Sequence, residues 1–263
     1  MSGLASAWRR AGRWVGRVVL GPSTRRRFSP FAARHAPDGT FFVIAVPRSL
    51  GLLEPCLKLV RGHVSLALIV NGLPAAEEEA LARLVPEAPR FRLSTVPGSW
   101  WEHGAVLDLL SDGVAGAFGL LDHDCFVLDP SVLDGLRPDD GELLAAPDVA
   151  GFWGLNEASG LRFPRTHLVM LDAPRVRGVR RRHGISCRKA ARTPARLRGP
   201  LRALGLGDHN LPSPALGFWD TLQLVMAAGL ADGLRWRLQP VPEGSLVHFG
   251  GATRKTKAGT IAR

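Results

Sequence analysis

The sequence predicts an α/β fold in which a mostly parallel central sheet is flanked by helices. Three observations lead there. Short continuous apolar runs alternate with helix-forming segments through the first half of the chain. Proline, glycine or Asn-Gly stops each run, and residues able to carry chemistry collect just beyond the stops. Strand–helix units of this length close into a parallel sheet covered on both faces, and such sheets bind ligands outside the carboxyl ends of their strands.

Taken in order, Phe41–Val46 is a buried strand stopped by Pro47, and residues 49–61 form a helix. Val64–Val70 is a second strand ending at Asn71-Gly72. Pro74, tolerated in a first turn, opens a helix through Leu84. Phe91–Val96 is a third strand, broken by Pro97-Gly98, and a helix runs from Glu102 to about Ser111. Ala117–Leu121 then leads straight into Asp122-His123-Asp124. Past residue 145 the expected elements are strands at Val149–Trp153, Leu168–Leu171 and Trp236–Val241 and a helix over Leu216–Leu230.

With 263 residues, 46% hydrophobic and 22% charged, the chain is long enough for one large core. The net charge of +11 is unevenly spread: residues 1–34, 175–202 and the tail after Glu243 carry 23 of the 34 Lys and Arg and no acid. An acidic main domain at 35–252, with a basic insertion about 175–202, is thus expected between a basic amphipathic segment (1–34) and a basic tail (253–263). On a helical wheel of Leu4–Leu20, Trp8, Val15 and Val19 face away from Arg9, Arg10, Arg13 and Arg17, the pattern of a helix lying on an anionic membrane. The basic insertion is a loop or helix over the active site, meeting lipid or phosphate, or simply a solvated segment. Three scattered cysteines fit a reducing, cytoplasmic setting, peripheral at the inner face of the membrane, and no apolar run reaches transmembrane length. Loops of the GxGxxG, GxxxxGK[ST] and GxSxG types are absent, which disfavours dinucleotide oxidoreductases, P-loop NTPases and α/β-hydrolases, and no nucleic-acid-binding motif accompanies the arginines.

Asp122 and Asp124, one residue apart at a strand end, point to the same side of an extended chain. Two such carboxylates suit Mg²⁺ or Mn²⁺ bridging a diphosphate. The segment Phe118–Val127 resembles the fourth-strand DxD region of GT-A-fold glycosyltransferases of the family 2 kind, whose core is Rossmann-like. Val70-Asn71-Gly72 is similar to that family's second-strand end, and His103-Gly104 to the opening of the helix before the DxD strand. The resemblance spans residues 40–130 best. It implies a nucleotide-sugar donor, bound by Pro47, Arg48, Asn71, His103 and Asp122, and an acceptor of unidentified kind: a glycan, lipid or small molecule. It also implies a Mn²⁺ or Mg²⁺ site at Asp122, Asp124 and the late His248, with Asp220 as the base of an inverting transfer. Asp220 opens a helix, so a capping role is its alternative, and Asn156-Glu157 is a second acceptor-side pair. Trp100-Trp101, Trp153 and Trp219 either stack on ligand or pack the core. His35, His63, His167, His183 and His209 lack ligand spacing and read as structural. The competing functional class is a non-catalytic membrane- or polyanion-binding protein on a decayed transferase fold.

Overall fold

In the computed structural model, residues 19–156, 159–206 and 219–249 are described. Helix α1 (Gly21–His35) precedes a regular alternation: β1 (Thr40–Ala45), α2 (Leu50–Val60), β2 (Leu66–Val70), α3 (Ala75–Leu84), β3 (Arg90–Arg92), α4 (His103–Gly113), β4 (Ala117–Leu121). There follow β5 (Cys125–Val127), a 3₁₀ turn (Pro130–Leu136), β6 (Glu142–Pro147), β7 (Trp153–Asn156), β8 (Leu161–Pro164) and β9 (Leu168–Asp172). Helices α5 (Ala173–His183), α6 (Ala195–Ala203) and α7 (Gln223–Ala231) and strands β10 (Arg235–Gln239) and β11 (Leu246–His248) complete the described chain.

Seven strands form one sheet in the order β10-β6-β9-β4-β1-β2-β3. Only β9 runs against its neighbours, pairing antiparallel with both β4 and β6. The strands that read as continuous apolar runs are the ones buried on both faces, as parallel strands under helices must be. One face carries α1, α4, α5, α6 and α7, packed through Phe28, Leu107, Val176, Leu197 and Val225. The other carries α2, α3 and the 3₁₀ turn through Leu53, Leu57, Leu81 and Leu133. Because β2 and β3 lie on one side of β1 and β4 on the other, the carboxyl ends of β1 and β4 form the topological switch point.

The helix expected over Leu216–Leu230 begins only at Gln223, and the structure departs from the expected elements in four further places. Strand β3 stops at Arg92 because it is an edge, and the chain beyond it bends away, tied by the Trp101 indole donating to Ser94 O at 3.1 Å. Strand β6, Glu-Leu-Leu-Ala-Ala-Pro, has no β-branched or aromatic residue to announce it. Burial between β9 and β10 imposes the extended form despite weak propensity. The strand expected at Val149–Trp153 instead starts at Trp153 and pairs with β8 as a separate hairpin.

The fourth departure concerns the basic stretches. Phe28 is fully buried, so the folded domain begins inside the basic N-terminal stretch. Residues 175–202 are not an appendage, since Val176, Val179, Cys187, Leu197 and Leu201 belong to the main core. Their arginines answer the acidity of the rest. Arg180 bonds Asp108 at 2.8 Å and Asp112 at 3.0 Å, and Arg182 pairs with Asp232. Arg177 donates to the Ser111 and Asp112 carbonyls at the end of α4. The uneven charge is thus in part an internal pairing of α5 with α4. The amphipathic segment Leu4–Leu20 lies, but for its last two residues, outside the described residues, as do Glu157, His209 and the basic tail.

Candidate active site

A cleft of about 990 Å³ opens at the carboxyl ends of β1, β2 and β3 and reaches the residues after β4. Pro47, Arg48, Asn71, His103 and Asp122 all line it. Arg48 holds the left-handed conformation (φ 69°), uncommon for a residue with a side chain, and its N–H donates to Glu77 at 2.9 Å. Strain of this kind collects at ligand sites. Gly72 also has positive φ (80°), and a Cβ there would meet Ser99 O at 2.3 Å, so only glycine lets the 97–101 loop close on the end of β2.

Asn71 is 1% exposed and bonds Trp101 twice: Nδ2 donates to Trp101 O at 3.0 Å, and Oδ1 accepts from Trp101 N at 2.7 Å. Its side chain is therefore committed to holding the cleft wall. Trp101 is buried, whereas Trp100 keeps 36% of its surface exposed along the cleft. Trp219 is core, with its indole donating to Thr193 Oγ1 at 2.9 Å. His103 begins α4, whose free backbone N–H groups favour negative charge. The next residue, Gly104, admits the Cys187–Arg188 backbone, which a Cβ would meet at 2.5 Å. Arg188 reaches Glu102 on the cleft rim with Nε at 2.7 Å.

After β4 the chain does not stay extended. Cys125 N donates to Asp122 O at 3.0 Å, closing a turn that separates the two carboxylates, so the shared-side expectation for Asp122 and Asp124 gives way to two environments. Asp122 faces the cleft, with Oδ2 3.2 Å from His167 Nδ1 and Oδ1 3.8 Å from His103 Nε2. Asp124 is 5% exposed and meets His248 Nε2 at 3.3 Å. Burial pushes the Asp124 carboxyl up. The hydrogen bond from His248 and the charges of His123 and His248 outweigh it, and the net shift is downward. Under the turn, the Cys56 thiol reaches Cys125 O at 3.1 Å. Burial, then the charges of Asp122 and Asp124, push its pKa up to about 12, so it stays a neutral brace.

Two pairings bring the late histidines here. Strand β9 pairs with β4 so that Leu168 faces Leu121, and Asp122 N donates to His167 O at 2.8 Å. Strand β11 pairs with β5, setting His248 opposite Cys125. The His167 and His248 rings stack with centroids 3.4 Å apart, and the Phe152 ring stands edge-on to both at 6.0 Å. Asp122, His167 and His248 can each offer one ligand atom within 4.8 Å of the others. Sequence reasoning missed His167. The signal was the apolar run Leu168–Leu171, whose antiparallel place beside β4 brings the preceding residue to Asp122.

Asp220 carries a carboxylate 2.7 Å from Lys189 Nζ. Its Oδ1 accepts from Thr221 N at 2.8 Å and its own N–H donates to Gln223 Oε1, but α7 begins only at Gln223 with Leu222 as its N-cap, so Asp220 braces the turn before the helix and does not open or cap it. Burial pushes its pKa up, yet the Lys189 hydrogen bond, the Thr221 N–H and the charges of Lys189 and His103 bring it below the ordinary carboxylate value. Asn156 is buried: its Oδ1 accepts from the Ser159 N–H and hydroxyl, while its Nδ2 has no hydrogen-bond partner among the described residues.

The cleft lies at the switch point of a mostly parallel sheet, where α/β domains bind their ligands, and a carboxylate with histidines beside it forms its floor. Residues 22–176, more than half of the chain, match the model of the StrH glycosyltransferase N-terminal domain, and the chain belongs to that family. No curated protein matches it. Among solved structures it is similar to the apo form of the glycosyltransferase GlyE of Streptococcus pneumoniae TIGR4, at 15% identity and TM-score 0.37, over 56% of this chain and 38% of that one. It is also similar to the bifunctional glycosyltransferase WbbM, at 11% identity and TM-score 0.41, over 77% and 39%. A third likeness is to 4-diphosphocytidyl-2C-methyl-D-erythritol synthase of Anaerococcus prevotii DSM 20548, at 7% identity and TM-score 0.30, over 57% and 77%. The chain thus spans under two fifths of the two glycosyltransferases. The matched family region ends in α5, so Asp122 and His167 lie inside it and Asp220 and His248 beyond it.

Proposed function

We propose that the chain is a metal-dependent glycosyltransferase that moves a sugar from a nucleotide-diphosphate sugar to a glycan, lipid or small-molecule acceptor. The observation that carries this reading is the place of Asp122. It follows β4 directly, lies on the cleft floor at the switch point, and has His167 and His103 beside it. A carboxylate with imidazoles is a fitting donor set for a divalent ion, and Asp122 and His248 would hold it. A bound divalent ion supplies neutralisation of the charge that develops on a departing nucleoside diphosphate.

The chain's own residues do the rest. The α4 N-terminus and His103 favour the diphosphate, Pro47 and Arg48 border the nucleoside end, and Asn71 works indirectly by fixing Trp101. Trp100 offers an exposed aromatic face to base or sugar. Asp220 is the base that accepts the acceptor hydroxyl's proton. Its lowered pKa keeps it ionised at neutral pH, as a proton acceptor must be, and Lys189 holds it in place. Asp220→Asn should lower turnover by about 10² to 10⁴ and leave donor KM nearly unchanged. A lower melting temperature with normal turnover would instead assign it to bracing the turn before α7 alone.

A decayed fold serving only as a polyanion binder would have no need to keep Asp122, His167 and His248 converging from three separate elements. The amphipathic pattern of the sequence before α1 adds a membrane face to the transferase reading, exposed Arg25, Arg26 and Arg34 on α1 add positive charge, and an anionic inner-leaflet surface is the matching partner. Among the described residues no helix is long and apolar enough to cross a membrane.

A further inference from the structure

We propose that the outer face of the β5–β11 ribbon is a membrane-docking surface: Phe126, Val247 and Phe249 enter an anionic bilayer while the basic residues that follow Phe249 hold its headgroups. The inference rests on the membrane contact proposed above, to which it adds a second and separate surface, and not on the transfer chemistry.

Strands β5 and β11 pair antiparallel, with Val247 opposite Phe126 and His248 opposite Cys125. Alternation along such strands sends neighbouring residues to opposite faces. The inner face holds Cys125, Val127 and Leu246, all buried, with His248 turned to Asp124. The outer face carries Phe126 and Val247, and Phe249 prolongs it. Its N–H donates to Asp124 O at 3.1 Å, and its ring stands edge-on to that of Phe126 with centroids 5.3 Å apart.

An antiparallel ribbon with one face on a core normally turns polar residues to water on the other. Here Phe126, Val247 and Phe249 are turned there instead. Phe249 is 56% exposed, Val247 36%, and Leu128, just past β5, 52%. Three of the six large apolar residues exposed among the described residues thus gather on one ribbon. Apolar residues exposed singly are ordinary, whereas a contiguous set marks a partner surface.

Charge selects the partner. The sequence after Phe249 carries Arg254, Lys255, Lys257 and Arg263 and no acid. Arg254 follows Phe249 by five residues, so its Cα stays within about 18 Å of it in any conformation. Cations tethered beside an apolar tip match an anionic lipid surface, since a small apolar insertion and a basic segment together supply the two signals that stable attachment needs. Asp129 and Glu243 lie toward the other end of the ribbon, where Leu128 and Asp129 both donate from N to Ser245 O. A docked bilayer thus lies against the same ribbon that brings His248 to Asp124.

The test uses the full chain and sucrose-loaded vesicles of phosphatidylcholine, with and without phosphatidylserine. At low salt the native protein should bind the anionic vesicles about tenfold more tightly than the neutral ones. Val247→Ser combined with Phe249→Ser should weaken that binding about fivefold, with a melting temperature near native. Arg254→Gln, Lys255→Gln and Lys257→Gln together should weaken it about as much and flatten its salt dependence. Cys56, Cys125 and Cys187 are buried, so a thiol-directed, polarity-sensitive dye reports a newly introduced cysteine selectively. On Val247→Cys its emission should shift to the blue with anionic vesicles, and on Lys58→Cys, exposed on α2, it should not. The dye arm decides the matter if the double serine variant fails to fold. Native-like vesicle binding by the folded serine variant, or no shift at position 247 while the protein sediments, would overturn the proposal. So would a dimer that Phe249→Ser splits, which would assign the face to a second copy of the chain. A dye already blue-shifted without vesicles, and released by removing residues 250–263, would assign it to the chain's own tail. If the native protein binds no anionic vesicle, the membrane reading falls with the proposal, whereas binding lost only on removing residues 1–18 sinks the ribbon alone. None of these readouts needs sugar transfer.

Discussion

Changing Asn71 to Asp isolates the clamp that shapes the cleft. The substitution is nearly isosteric, and the carboxylate can still accept from Trp101 N. It cannot donate to Trp101 O, so a negative oxygen replaces the NH₂ that stood 3.0 Å from that carbonyl, at a position 1% exposed. Losing a buried hydrogen bond removes about 1 kcal/mol, and leaving the carbonyl unsatisfied against a charge adds about 1–3 kcal/mol. The expected loss of stability at pH 7 is therefore about 2–4 kcal/mol. Folding takes the new carboxyl out of water and sets it against a carbonyl, so its folded-state pKa stands above the unfolded value of about 3.9. The folded state then binds the extra proton, so the deficit is full above the folded pKa and shrinks as pH falls through it. Below the unfolded value the neutral carboxyl can donate to Trp101 O. Urea unfolding of both proteins at pH 7 and pH 5 measures the difference directly. A loss under 1 kcal/mol at pH 7, or an equal loss at both pH values, would refute the clamp. Because Trp100 and Trp101 line the cleft proposed to take the donor, donor KM should rise several-fold while kcat changes less.

Two further outcomes follow from the charge distribution. Arg180→Gln strands Asp108 and Asp112 against a nearly buried site and should cost about 3–5 kcal/mol by urea unfolding, and adding Asp108→Leu should restore part of it. Removing residues 1–18 stops short of α1 and Phe28, so it should leave the fold intact while weakening sedimentation with phosphatidylserine vesicles at low salt; unchanged sedimentation would detach the N-terminus from membranes.

Much of the fold was legible because the strands under two helical layers must be continuously apolar, and Phe41–Val46, Val64–Val70 and Ala117–Leu121 advertise that environment. The cleft was legible for the same reason, since the stops after those runs mark the strand ends where Pro47, Arg48, Asn71 and Asp122 gather. What failed depended on tertiary context. Nothing local in Glu142–Pro147 speaks for a strand, and only its slot between β9 and β10 makes it one. The turn closed by Cys125 N onto Asp122 O set the two aspartates apart, against an alternation argument that holds only for extended chain. His167 was passed over because ligand spacing in sequence cannot reveal a partner supplied by antiparallel pairing across the sheet. The arginines of 175–202 read as an exposed feature because their acidic partners, Asp108, Asp112 and Asp232, are distant in sequence.

The most direct measurement is turnover of a panel of nucleotide-diphosphate sugars with Mn²⁺, with and without chelator, in the native protein and in Asp122→Asn. The account predicts release of nucleoside diphosphate from at least one donor, abolished by chelator and by the substitution, with the melting temperature of the variant close to native. Donor turnover that survives both the chelator and the loss of the Asp122 charge would contradict it.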